Sequence, residues 1–392
     1  MKIHCKWLIF YANIFTISTI CSAELKLIQV VLRHADRNPH SGTFLNKYYP
    51  SDPDKYENWE PDGPMALNNK GKLTAYKLGQ FFRKNYNDFF GPKYRSDIVY
   101  FQSVDLPRSI NTAQLLAAGL FPPESSQIWH PDLLWIPVPI HVTDLLEDTL
   151  FYSFVMCENY AIDRLRSQAE VERLLSALSD IRTLRNHLSF HTGINHTSST
   201  QGWLLYIQLA AKMGVGRELE PWTREIFPDG KLKDIAAVEY ILQTYTSRMK
   251  RLGGGVWLKK FFNASKKLID NEKTPKAFFY TGNEMQVAAV LNTLGVYDSH
   301  VPGYASSVIF ELHELERKFY VKVIYKDGDT PVDLHIPGCG VLCPLSIFKS
   351  LLRNVTPENF QEDCGKLTNF FSLSSSLTKT QKLLFLLSKW ME

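Results

Sequence analysis

An apolar run, Leu25-Lys-Leu-Ile-Gln-Val-Val-Leu32, ends directly on Arg33, His34 and Arg37, and this junction constrains the fold more than any other stretch of the chain. A short apolar run closed by turn residues, here Asn38-Pro39, predicts a buried strand. The junction recurs twice. An apolar run from Ile98 to Phe101 leads into Gln102-Ser-Val-Asp-Leu-Pro-Arg108 and then a helix-like stretch from Ser109 to Leu120. A third run reaches Tyr280 and passes into Asn283 and Glu284 at the start of another helix-like stretch. Strand ends that turn repeatedly into helices predict an α/β fold, and in open α/β sheets ligands bind beyond the carboxyl ends of the strands. Three such ends would offer Arg33, His34 and Arg37, then Arg108, then Asn283 and Glu284.

These residue types in this pattern point to phosphate chemistry. Guanidinium is planar, stays charged and presents a fork of donors that fits phosphate oxygens, so two arginines around one histidine make a phosphoryl-sized anion site. The same cations repel a proton from His34, which keeps the imidazole neutral and nucleophilic in acid.

Composition narrows the class. The 392 residues are 45% hydrophobic and 21% charged, enough for a substantial core with a second domain or a large insertion. The first 23 residues read as a signal peptide: Lys2 and Lys6, an apolar stretch from Trp7 to Ile20, and Cys21-Ser-Ala23 before Glu24. That leader has no acidic residue, so the formal charge of +4 falls to +2 without it, a balance that argues against nucleic acid as a partner. The remaining cysteines are Cys157, Cys339, Cys343 and Cys364, an even number that fits an oxidising compartment and allows three pairings. Cys339-x-x-x-Cys343 could be half a zinc site, but no second Cys or His pair accompanies it. Asn195-His-Thr, Asn263-Ala-Ser and Asn354-Val-Thr are glycosylation sequons, and with the leader they predict a secreted glycoprotein, extracellular or lysosomal.

The β-type segments fall in residues 24–144 and 273–392, including a hairpin around Glu314 to Lys318. Residues 145–272 read as a helical insertion, with helical spacing over 163–178, 201–213 and 235–252. Gly253-Gly-Gly255 lacks the Gly-Lys-Ser/Thr of a phosphate loop and is expected to end the preceding helix. His187, His191 and His196 lack a carboxylate companion and read as a polar helix end, so no metal is called for. The stretch from Leu377 to Trp390 is amphipathic, and its lysines and length exclude a membrane span.

The ordered motifs are similar to those of the histidine acid phosphatase family, the second branch of the histidine phosphatases, and most of all its insect venom branch. They are Arg33-His34-Ala35-Asp36-Arg37-Asn38-Pro39, Gln102-Ser-Val-Asp105-Leu-Pro-Arg108, Gly119-Leu-Phe-Pro-Pro123, Trp129 to Pro139, Leu146 to Leu150, His300 to His313 and Leu334 to Leu345. The resemblance implies a mixed sheet flanked by helices, with a smaller helical cap over the pocket. It implies an acid phosphatase that needs no cofactor, with a phosphate monoester as its partner. His34 would form a phosphohistidine, Arg33, Arg37 and Arg108 would clamp the phosphoryl group, and Glu284 would be the proton donor. Asn283 would be a further phosphate ligand. The resemblance also implies disulfides Cys157–Cys364 and Cys339–Cys343, and admits a homodimer. The chain departs from the family pattern where Asn283 replaces a His, Ala35 a Gly and Gln102 an Arg. The exchanges at Asn283 and Ala35 define the alternative, a catalytically impaired phosphatase-like secreted protein that serves as a venom component or binds phosphate ligands.

Overall fold

The structure, a computed structural model, describes residues 23–144 and 147–366. The leader and the amphipathic stretch Leu377 to Trp390 lie outside the described residues.

Eight strands among the described residues build one sheet: β1 (Glu24–Arg33), β2 (Val99–Val104), β3 (Ile140–Thr143), β4 (Ala277–Gly282), β5 (Ser307–Leu315), β6 (Lys318–Lys326), β7 (Pro331–Asp333) and β8 (Leu342–Pro344). Their order is β3-β2-β4-β1-β5-β6-β7, with β8 beside β6. The half from β3 to β1 is parallel, and β5 joins β1 antiparallel to start the other half. β1 therefore lies inside the sheet where its two halves meet. Its apolar run carries core residues on both faces, as an interior strand covered by helices requires.

One face is covered by helices Asn69–Asn85 and Pro107–Leu120, which pack Leu78, Phe82 and Leu116 against Val30 and Leu32. The other is covered by helices Val256–Ile269 and Glu284–Thr293, which pack Trp257, Phe261 and Val290 against Leu27 and Val31. A third apolar cluster lies apart from these. There Phe44, Leu45, Tyr48 and Tyr49 meet helices Ser179–Thr192, Ser199–Gly214 and Lys231–Leu242. Helix Ser199–Gly214 starts on a capping box in which Ser198 and Gln201 satisfy each other's backbone N–H groups.

Two local expectations are corrected. The segment 235–252 is not one helix: it stops at Leu242 and resumes at Ser247, because Thr246 accepts the Met249 N–H as a fresh N-cap. Gly253-Gly-Gly255 does not end a helix. Residues Arg251–Gly255 form a π-turn that runs on into helix Val256–Ile269. A Cβ at Gly254 would overlap Thr293 and the Ala289 carbonyl, so glycine there serves close helix approach.

The hairpin joins β5 to β6 through Glu316 and Arg317, both in the left-handed region at φ 50° and 61°, which suits the twist of a two-residue turn. Cys157 pairs with Cys364 and Cys339 with Cys343. Asn195, Asn263 and Asn354 are all exposed. Among the described residues no helix is long and apolar enough to cross a membrane, and no group of three or more His, Cys, Asp or Glu converges as a metal site would require.

Candidate active site

The three junctions meet because β4 lies between β1 and β2 and pairs parallel with both, so the carboxyl ends of all three strands fall side by side. Arg33 is registered against Gly282, the His34 N–H donates to the Gly282 carbonyl at 2.9 Å, and the Ala305 N–H donates to the His34 carbonyl at 3.2 Å. Helix Asn69–Asn85 clamps the loop after β1 from outside. Lys70 pairs with Asp36 at 2.9 Å, and Thr74 donates to the same carboxylate at 3.0 Å. Gly71 is required there, since a Cβ would overlap the Asp36 carbonyl. Ala35 is not among the residues with positive φ; its methyl is buried in the apolar cluster of that face, and its N–H donates to Thr112 at 3.1 Å. A methyl in place of hydrogen at position 35 therefore costs the loop no strain.

The loop borders a cavity of about 60 Å³. Its polar lining includes His34, Arg37, Arg108, Asn283 and Glu284, and its apolar walls are Phe44, Met65, Trp203, Leu204, Ile207 and Met285. Arg108 is the second residue of its helix, and Asn283 and Glu284 open theirs, with the Asn283 N–H donating to Gln286 at 2.8 Å. A carboxylate and an oxyanion site at a helix N-terminus both gain from the backbone dipole.

His34 is 1% exposed, and its Nδ1 lies 2.8 Å from the Ala35 carbonyl. A carbonyl can only accept, so the ring proton sits on Nδ1 and Nε2 keeps its lone pair. Burial first, then the charges of Arg108, Arg33 and Arg37, hold the imidazole well below the ordinary histidine range, against the pull of the Ala35 carbonyl. Burial, then Arg37, pushes the Arg108 guanidinium down to about 10. Arg108 donates to Asn283 Oδ1 at 3.4 Å, so Asn283 aims the guanidinium as well as lining the cavity.

Arg33 faces elsewhere. Its Nε pairs with Glu284 at 3.1 Å, its Nη1 donates to the Pro302 carbonyl at 2.6 Å, and its Cζ stacks 4.1 Å above the Tyr304 ring. The cavity thus has Arg37 and Arg108 in its lining, while Arg33 grips Glu284. A neutral imidazole, two cations and a carboxylate around one small cavity can capture an anion, attack it and exchange a proton with it.

The sequence pattern of the histidine phosphatase superfamily (branch 2) matches residues 24–326. The chain belongs to this family. Its relatives include venom acid phosphatase Acph-1 of Apis mellifera, 36% identical over 88% of both chains. Prostatic acid phosphatase of Homo sapiens is 30% identical over 88% of this chain and 89% of its own. Among solved structures, a phytase from Klebsiella sp. ASR1 shares the fold at TM-score 0.64 and 15% identity, covering 86% of this chain and 98% of its own.

For this histidine phosphatase, all six candidate residues come together, five in the cavity lining and Arg33 behind Glu284. Gln102 points away, toward Thr143 at 3.5 Å on the neighbouring strand. The His187 and His191 rings gather on Trp222. Sequence reasoning missed Tyr304 and Pro302, which hold Arg33, and His40, Phe44 and Tyr152, which line the cavity. Pro302 and Tyr304 lie inside the His300 to His313 motif but carried no assigned role, and His40 left a signal as a second histidine six residues after the first.

Proposed function

We propose that this chain is an acid phosphatase that hydrolyses phosphate monoesters through a phosphohistidine at His34. The carrying observation is the His34 ring, fixed through Nδ1 on the Ala35 carbonyl beside a cavity lined by two guanidinium groups. In the first step the Nε2 lone pair forms a P–N bond and the P–O ester bond breaks. The departing oxygen takes its electron pair and a proton from Glu284, leaving an alcohol or phenol. In the second step water attacks phosphorus as Glu284 takes its proton, the P–N bond breaks, and phosphate leaves. Arg37 and Arg108 balance the charge on the equatorial oxygens, and Asn283 supports them through its contact with Arg108. Arg33 adds positive potential from behind Glu284 and fixes the carboxyl group.

The apolar lining favours a leaving group with an aromatic or aliphatic body, and helix Ser199–Gly214 supplies much of that wall, as a cap over the pocket would. Disulfides and exposed sequons support passage through an oxidising secretory route. Turnover of an aryl phosphate between pH 4 and 8 by wild type and His34→Ala tests the proposal. The enzyme reading requires wild-type turnover well above His34→Ala, and equal rates refute it.

A further inference from the structure

The cavity lining contains a second buried imidazole that the mechanism above does not use. His40 is 4% exposed, and its placement is built twice over. Its backbone is clamped by Gln208, which accepts the His40 N–H at 2.8 Å and donates to the His40 carbonyl at 3.2 Å. Gln208 also donates to Asp52 at 3.0 Å, and the other oxygen of that carboxylate takes the wholly buried Lys212 ammonium at 2.8 Å. The side chain is fixed separately: Nδ1 lies 2.6 Å from the Tyr48 hydroxyl, and the ring stands edge-on to Phe44.

These contacts decide where the proton sits. Tyr48 is fully buried, and burial first of all holds its phenol well above the ordinary range, so the hydroxyl keeps its hydrogen. A buried O–H needs an acceptor, and the partner found for this one among the described residues is His40 Nδ1. Tyr48 therefore donates to Nδ1, and the ring proton of the neutral imidazole lies on Nε2. Burial, then the charges of Arg37 and Arg108, keeps the ring well below the ordinary histidine range. His40 thus brings a neutral N–H donor to a cavity that Arg37 and Arg108 already make attractive to anions.

We propose that His40 is a substrate-contacting residue whose Nε2–H donates to an oxygen of the bound phosphate monoester. The proposal rests on the phosphatase reading for the identity of the substrate, and its donor is distinct from the His34 nucleophile. His40→Asn leaves a polar atom near the Nδ1 position to accept from Tyr48 but removes the Nε2 donor. His40→Gln returns an amide N–H near the Nε2 position. Tyr48→Phe releases the ring from its fixed tautomer.

The experiment measures the Kd of inorganic phosphate by calorimetry, together with kcat and KM for an aryl phosphate, on the full mature chain and the three variants. A lost hydrogen bond to a charged oxygen predicts that His40→Asn weakens phosphate binding and kcat/KM roughly tenfold or more, and that His40→Gln recovers much of the loss. Tyr48→Phe is expected to weaken phosphate binding less than His40→Asn does. Unchanged phosphate affinity in the folded variants overturns the proposal, and so does a wild type that binds no phosphate. A wild type that binds phosphate yet turns over no faster than His34→Ala defeats the phosphatase reading instead, and the Kd series still scores His40.

Discussion

Arg33→Met is the perturbation with the most separable consequences. The guanidinium is buried and spends its contacts on three partners: Glu284 at 3.1 Å, the Pro302 carbonyl at 2.6 Å and the Tyr304 ring at 4.1 Å. Methionine preserves much of the volume but leaves the Glu284 carboxylate, itself buried, without its counter-charge. Breaking one side of a buried pair costs about 3–5 kcal/mol. For the ~340 described residues, that loss lowers Tm by about 4–7 °C. Scanning calorimetry at pH 7.5 reads the loss. The double variant Arg33→Met/Glu284→Gln should recover part of it, since it removes both charges together. Catalysis gives an independent reading. Arg33 grips Glu284 instead of lining the cavity, so kcat should fall sharply while inhibition by inorganic phosphate changes less than about tenfold. An Arg33→Met variant that melts with the wild type, or a double variant whose losses simply add, would refute the coupling argued here. A phosphate affinity that collapses while kcat holds would show instead that Arg33 is chiefly a phosphate ligand.

Arg37→Ala and Arg108→Ala should each weaken inhibition by inorganic phosphate by about tenfold to a hundredfold, the value of a charge-assisted contact, measured as Ki against an aryl phosphate. Arg108→Met should also move the acid limb of kcat/KM upward toward pH 6.5, because Arg108 is the largest of the charges that disfavour a proton on His34. An acid limb that stays in place excludes His34 as the group that titrates there. Stability should itself fall in acid through His196, which burial holds down at about 4. Its unfolded form takes up a proton first, so the contribution is present above pH 6.5 and is lost as pH falls toward 4. The Tm–pH curve of His196→Gln should accordingly be flatter over that window. Gly71→Ala should reduce both stability and kcat, because its Cβ would displace the Asp36 carbonyl and with it the loop carrying His34. An alanine variant of wild-type activity removes that requirement.

How much of the site could be read in advance depended on how local its causes are. The junction from Leu25 to Arg37 was legible because a buried strand and the turn that ends it are adjacent in the chain, and the same holds for Arg108 and for Asn283 with Glu284. The β5–β6 hairpin was legible for that reason too, its two strands being separated by Glu316 and Arg317 alone. Helix ends between residues 145 and 272 were less so. The break after Leu242 and the continuation through Gly254 are settled by Thr246 and by the neighbouring helix at Thr293, and apolar spacing registers neither.

By itself, then, the sequence determined the class of fold, the family and the chemical identity of the groups at three strand ends. The division of labour among those groups was decided by tertiary structure. Arg33 and Arg37 belong to one motif, yet Arg33 turns to Glu284 and Pro302, each more than 250 positions along the chain, while Arg37 stays in the cavity lining. His40 becomes a directed donor only because Tyr48 and Gln208 hold it, the latter 168 positions away. Side-chain direction is set by the partners that packing supplies, and partners so distant in sequence leave no periodic trace near the residues they direct.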